Sequence, residues 1–105
     1  MAKSNIKFKL GQTVVTCGVD EYLKKNNPAL ALTLLAKHLN LEQGDLCDAD
    51  YQQNLDAIKN EGKKDDNGNL MQDRIFSSYT INGEKFWVIT EWDRSVTTIL
   101  FPDEY

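Results

Sequence analysis

A chain of 105 residues, 41% hydrophobic and 27% charged, fits a single globular domain and leaves no room for a second core. Its most apolar run, Ala29 to Leu35, falls far short of the ~20 residues that cross a bilayer, and "MAKSNIKFKLGQ" never reaches the apolar core of a signal peptide, so a cytoplasmic protein without a membrane span is expected. The net charge of −4 lacks the long-range field that draws general DNA or RNA binders onto phosphate, so nucleic acid is not a favoured partner.

The charge is unevenly spread. Residues 1–40 carry six Lys against Asp20 and Glu21, whereas residues 41–73 carry nine acids against Lys59, Lys63 and Lys64. Cys17 and Cys47 form no CxxC pair and are read as reduced thiols.

In chain order, "QTVVT" (residues 12–16) is β-branched and ends at Gly18, which predicts a short strand. "GVDEYLKKNN" offers a short helix. Asn27 followed by Pro28 predicts a helix restart, with Asn27 capping free amides and Pro28 at the first helical position. This second helix runs to about Leu39, and Leu30, Leu34, Leu35 and Leu39 give it an apolar face at helical period. Asp48 then caps a third helix from Ala49 to about Glu61. Tyr51, Leu55 and Ile58 make one narrow apolar stripe, so this helix belongs on the surface. Gly62 stops it, and "KKDDNGNLMQD" reads as a mobile loop.

"RIFSSYTI", Asn82-Gly83 and "EKFWVITE" form a hairpin signature, because Asn-Gly tolerates the positive φ angles of a type I′ turn. That turn sets Ile81 opposite Glu84, Tyr79 opposite Phe86, Ser77 opposite Val88, Ile75 opposite Thr90 and Arg74 opposite Glu91. A connection over Trp92, Asp93, Arg94 and Ser95 then pairs Thr90 with Thr97, Val88 with Ile99 and Phe86 with Phe101. The expected fold is α+β: an N-terminal short strand and three helices packed on a C-terminal three-stranded antiparallel β-meander. Alternation leaves a second apolar patch on the sheet, around Phe76, Trp87, Ile89 and Leu100, for another segment or a partner to meet.

"KFWVITEWDRSVTTILFPDEY" resembles the ending "IWVITEADRSxTTILLPEEY" of a family of small bacterial proteins carried on plasmids and other mobile elements. "FKLGQTVVTCGV" is similar to that family's "FPLGQxVATPGA", and "LLAKHLNLEQGDLCDAD" to its "LLARHxxGDWGDLxxED". Cys17 stands where the family has proline, Leu46-Cys47 departs from a Trp-Gly pattern, and the 63–73 segment looks inserted. The resemblance implies a mobile-element setting rather than a chemistry.

His38, the single histidine, is the one ready general base near neutral pH. It borders the apolar face of the second helix, where a histidine is more often an edge residue than a catalyst. Convergence of His38 with Arg94 and Thr98 on the sheet would supply the base and the phosphate-binding cation of a metal-independent ribonuclease or toxin of the barnase or colicin type. Against that stands a plainer use of the same residues as sheet and turn chemistry: Asp93 bonding its own turn, and Arg74 paired with Glu91. Aligning Gly68 with the sixth position of a calcium loop puts Lys63 first and Arg74 twelfth, where carboxylates belong, and one His with two unspaced Cys makes no zinc site. No metal and no cofactor is expected. The preferred reading is a non-enzymatic accessory protein of a mobile element, leaning away from catalysis, that binds a protein partner in the manner of anti-restriction or anti-CRISPR proteins. Its binding residues are Trp92, Asp93, Arg94 and Ser95 at the turn, with Asp48 and Asp50 on the acidic helix.

Overall fold

The computed structural model describes residues 8–105; Lys3 and Lys7 of the basic amino-terminal stretch lie outside them. Strand β1 (Gln12–Val15) leads into helices α1 (Cys17–Lys25), α2 (Leu30–Leu39) and α3 (Asp48–Lys59). Strands β2 (Ile75–Ile81), β3 (Glu84–Thr90) and β4 (Val96–Leu100) follow, and a 3₁₀ turn covers Pro102–Glu104. The fold is α+β.

The hairpin register is as expected. Ile75 opposes Thr90, Ser77 opposes Val88, Tyr79 opposes Phe86 and Ile81 opposes Glu84, around a turn in which Asn82 and Gly83 have φ of 53° and 80°. β3 and β4 continue it, with Thr90 opposite Thr97 and Val88 opposite Ile99. The meander is not the whole sheet, however. β1 adds to β4 in parallel, Gln12 opposite Val96 and Val15 opposite Ile99, giving four strands in the order β1-β4-β3-β2. Gly11, at φ 63°, makes this addition possible. A Cβ there would run into the carbonyls of Arg94 and Ser95, and the next amide, Gln12 N–H, bonds Ser95 O at 3.0 Å.

Helices α1 and α2 cover one face. Val19, Leu23, Leu30 and Leu34 pack there on Tyr79, Phe86, Val88 and Ile99. A second cluster joins Phe8, Leu41, Ala57 of α3 and Ile75. Asn27 caps the turn before the helix rather than the helix itself: its Oδ1 accepts from Ala29 N–H at 3.1 Å, Pro28 and Ala29 form a turn, and α2 begins at Leu30 with Ala29 as its N-cap. Asp48 is the first residue of α3 rather than its cap, and its carboxylate instead accepts from Gln43 Nε2 at 2.8 Å.

The 63–73 segment is more ordered in form than its composition suggests. Asp65 Oδ1 accepts from the amides of Asn67 and Asn69, closing a tight turn beneath a Lys64–Leu70 bridge. On the opposite sheet face no α-helix lies over the patch among the described residues. Its cover is the chain's last residues: the Tyr105 ring meets Trp87 edge to face at 5.8 Å, and Trp87 meets Phe76 at 5.1 Å. Beneath them Ile89 and Leu100 are buried. Glu104 anchors this strap by accepting from Thr16 Oγ1 (2.5 Å), Gly18 N–H (3.0 Å) and Phe101 N–H (3.1 Å).

Candidate functional site

His38 projects from α2 onto the helix-covered sheet face and is wholly buried. Its Nδ1 lies 2.7 Å from Ser77 Oγ and its Nε2 2.8 Å from Thr90 Oγ1. Thr90 Oγ1 is 2.6 Å from Thr97 Oγ1, and Thr97 donates to Leu10 O at 2.7 Å. The last bond gives the whole chain its direction. Because a backbone carbonyl only accepts, the Thr97 proton is committed to Leu10, so Thr90 must donate to Thr97 and must accept from His38. Nε2 therefore carries the proton, and Nδ1 accepts from Ser77. One imidazole, neutral and in one tautomer, thus ties α2 to β2, β3, β4 and the segment entering β1.

Burial first, and the Arg94 charge second, push the His38 pKa down to about 3. Phe8 stands between the two side chains, its ring 5.3 Å from the imidazole centroid and 5.8 Å from the Arg94 guanidinium carbon.

Arg94 is buried as well. Its Nε and Nη2 fork onto the Glu61 carboxylate at the end of α3, with the closest contact at 2.6 Å, and Nη1 donates to the carbonyls of Glu91 (2.9 Å) and Trp92 (3.3 Å). The residue sits at φ 60°, a left-handed conformation costly for a side chain of this size and held here by those five bonds. Asp93 Oδ1 accepts from the Ser95 amide (3.1 Å) and hydroxyl (2.6 Å), which holds its carboxyl below the usual range. Gln72 bridges this turn to the one that follows α3 by donating to Trp92 O and accepting from Gly62 N–H.

The catalytic trio does not assemble. His38 has both nitrogens engaged in the core, Arg94 is consumed by Glu61, and Thr98 opposes Ile89 on the other face of the sheet. The expected Arg74–Glu91 pair is also absent: Arg74 Nη1 donates to the Tyr105 hydroxyl at 3.1 Å, and the β2–β3 ladder stops at Ile75–Thr90. Of the binding group, Asp93 and Ser95 are exposed, Arg94 serves as the bracket beneath them, and Trp92 stands out, 52% exposed. Asp48 is exposed at the far end of α3. Asp50, with Asp56, Asp73 and Arg74, lines an open groove of about 520 Å³ between α3 and residues 71–76.

No family model, curated protein or solved structure matches the chain. Among the described residues no three His, Cys, Asp or Glu side chains are placed to hold a metal ion, and no helix is long and apolar enough to cross a membrane. Cys17 and Cys47 are exposed and unbonded.

Asn54 escaped the sequence reading. Although it lies in the middle of a polar helix it is buried, and its amide donates to Phe76 O (2.7 Å) and accepts from Phe76 N–H (3.1 Å), replacing a missing strand at the edge of β2. Its only signal was position: Asn54 lies between Tyr51 and Ala57 on the helix face that carries the apolar stripe.

Proposed function

We propose that this chain is a non-enzymatic accessory protein of a mobile element that binds a protein partner, with a component of host restriction or defence as the partner class. The observation that carries this reading is Trp92: a large apolar side chain held half in solvent on a turn immobilised by Arg94, Asp93 and Gln72. An aromatic anchor mounted rigidly loses little entropy on docking, which is the character of an interface hot spot. Gln72 and Glu61 tie this turn to the residues that follow α3, on whose length the acidic groove of Asp50, Asp56 and Asp73 runs. α3 spans about 18 Å and would supply part of the roughly 800 Å² that one partner contributes to an ordinary interface. Its carboxylates suit a basic protein surface and oppose a phosphate backbone.

Trp92→Ala and the charge reversal Asp48→Lys/Asp50→Lys, each purified from the native host beside the parent protein, test this. A co-purifying protein lost in both variants supports the surface; a partner retained by Trp92→Ala moves the interface elsewhere. Total RNA incubated with the protein should stay intact, and cleavage abolished by His38→Ala would overturn the reading.

A further inference from the structure

The sheet has two edges, and the fold treats them differently. On β2 half of the outward groups are occupied: Phe76 N–H and C=O by the Asn54 amide, and Ser78 C=O by Asp45 N–H at 2.8 Å. On β1, Gln12 N–H and Thr16 N–H bond the carbonyls of Ser95 and Ile99 on β4, so the alternation of a parallel ladder aims the N–H and C=O of Thr13 and Val15 away from the sheet. Those groups have no partner among the described residues. All four β1 residues are exposed, Val14 and Val15 each at 37%. The strand is largely β-branched and, though short, carries no charge and no proline, and no helix covers it among the described residues.

We infer that β1 is a homodimer seam, on which a second copy of this chain adds its own β1 antiparallel about a two-fold axis through Val14 to make a continuous eight-stranded sheet. Register and chemistry agree. With Val14 opposite its symmetry mate, Thr13 of each copy meets Val15 of the other, and these are the residues whose backbone groups point outward, so four hydrogen bonds close. Thr13 and Val15 then form β-branched cross-strand pairs on one face and the two Val14 side chains meet on the other. The ends of the strand are opposite in charge. Lys9 precedes it, whereas Glu104 is bound to Thr16 and Gly18 just beyond it. An antiparallel axis brings unlike ends together, and a parallel addition would bring like ends together. β1 lies at the far side of the sheet from β2 and α3, so the acidic groove stays free in the dimer.

The test is sedimentation of the full chain from about 10 µM to 1 mM, the range a small interface requires, together with residue-resolved amide exchange. The expected result is a monomer–dimer equilibrium in which the amides of Thr13 and Val15 gain protection with concentration while those of Gln12 and Val14 are protected throughout. Val14→Lys sets two like charges face to face and should weaken association at least tenfold. Thr13→Pro removes an outward N–H that β4 does not use, and should do the same while the circular dichroism spectrum remains that of the parent. A monomer across the whole range, or a dimer indifferent to both substitutions, or Thr13 and Val15 amides that exchange freely in the dimer, would overturn the inference.

Discussion

His38 donates from Nε2 to Thr90 Oγ1 across 2.8 Å, and that bond joins the last turn of α2 to the end of β3 where neither group meets water. The residue types of a catalytic base and its hydroxyl partner are present, yet their use is cohesive. Every hydrogen-bonding atom in the chain from Ser77 to Leu10 is engaged, and a fully connected buried network specifies one arrangement of the elements it links.

Truncating the imidazole should therefore be costly. His38→Ala leaves Ser77 and Thr90 without their partner and opens a void beside the Phe8 ring, and a loss of about 2–4 kcal/mol in urea-induced unfolding is expected. A loss below about 1 kcal/mol would show that the network contributes little.

The same residue sets an acid limit on stability. The folded pKa, about 3, lies below the unfolded value of about 6.5, so the contribution is fully present above pH 6.5 and is lost as pH falls toward 3. Between those limits the unfolded chain takes up a proton that the folded chain refuses, giving a slope of about 1.4 kcal/mol per pH unit from this group. Unfolding free energies at pH 7.5 and pH 5 should differ by about 2 kcal/mol more in the parent than in a His38→Leu variant; parallel pH profiles would refute the assignment.

Arg94→Ala removes one side of a largely buried ion pair and strands Glu61, so a loss of about 2–4 kcal/mol is expected. Arg94→Lys keeps the charge and forfeits the fork, and should recover less than half of that. Thermal melts of the two variants decide it. Trp92→Ala, by contrast, should melt with the parent, within about 0.5 kcal/mol.

Asn54→Ala should cost about 2 kcal/mol, since both backbone groups of Phe76 lose their partner at once. Amide exchange at Phe76 reads this directly: rapid exchange in the variant against slow exchange in the parent. Asn54→Asp keeps an acceptor for the amide but faces the carbonyl with a second acceptor, and should be no better than alanine.

Glu104 holds the closing strap over Trp87. The hydrogen bonds from Thr16, Phe101 and Gly18 hold its carboxyl below the usual range, so the latch is made above the ordinary carboxylate pKa and is released as pH falls through the depressed one. In a Trp92→Phe background, Trp87 emission should shift to the red for Glu104→Ala at neutral pH, and for the parent only in acid. Identical spectra would place the anchor of the strap in Tyr105 alone.

What the sequence determined by itself was whatever depends on neighbours in the chain. Asn82-Gly83 carries its own backbone preference, and a two-residue turn leaves the strands one register, so the facing pairs from Ile75–Thr90 to Ile81–Glu84 were legible, as was the leucine face of α2. Tertiary structure decided the rest because the deciding partners are remote. Four β-branched residues say that β1 is a strand but not that it lies parallel to β4, more than eighty positions away. A histidine beside an apolar face is compatible with catalysis or with burial, and only the arrival of Ser77 and Thr90 from the sheet chose burial. Arg94 looked like a free cation until Glu61, 33 residues earlier, closed on it. Local torsional preference is written residue by residue, whereas the loss of water around a polar side chain is known only when the surfaces that enclose it have met.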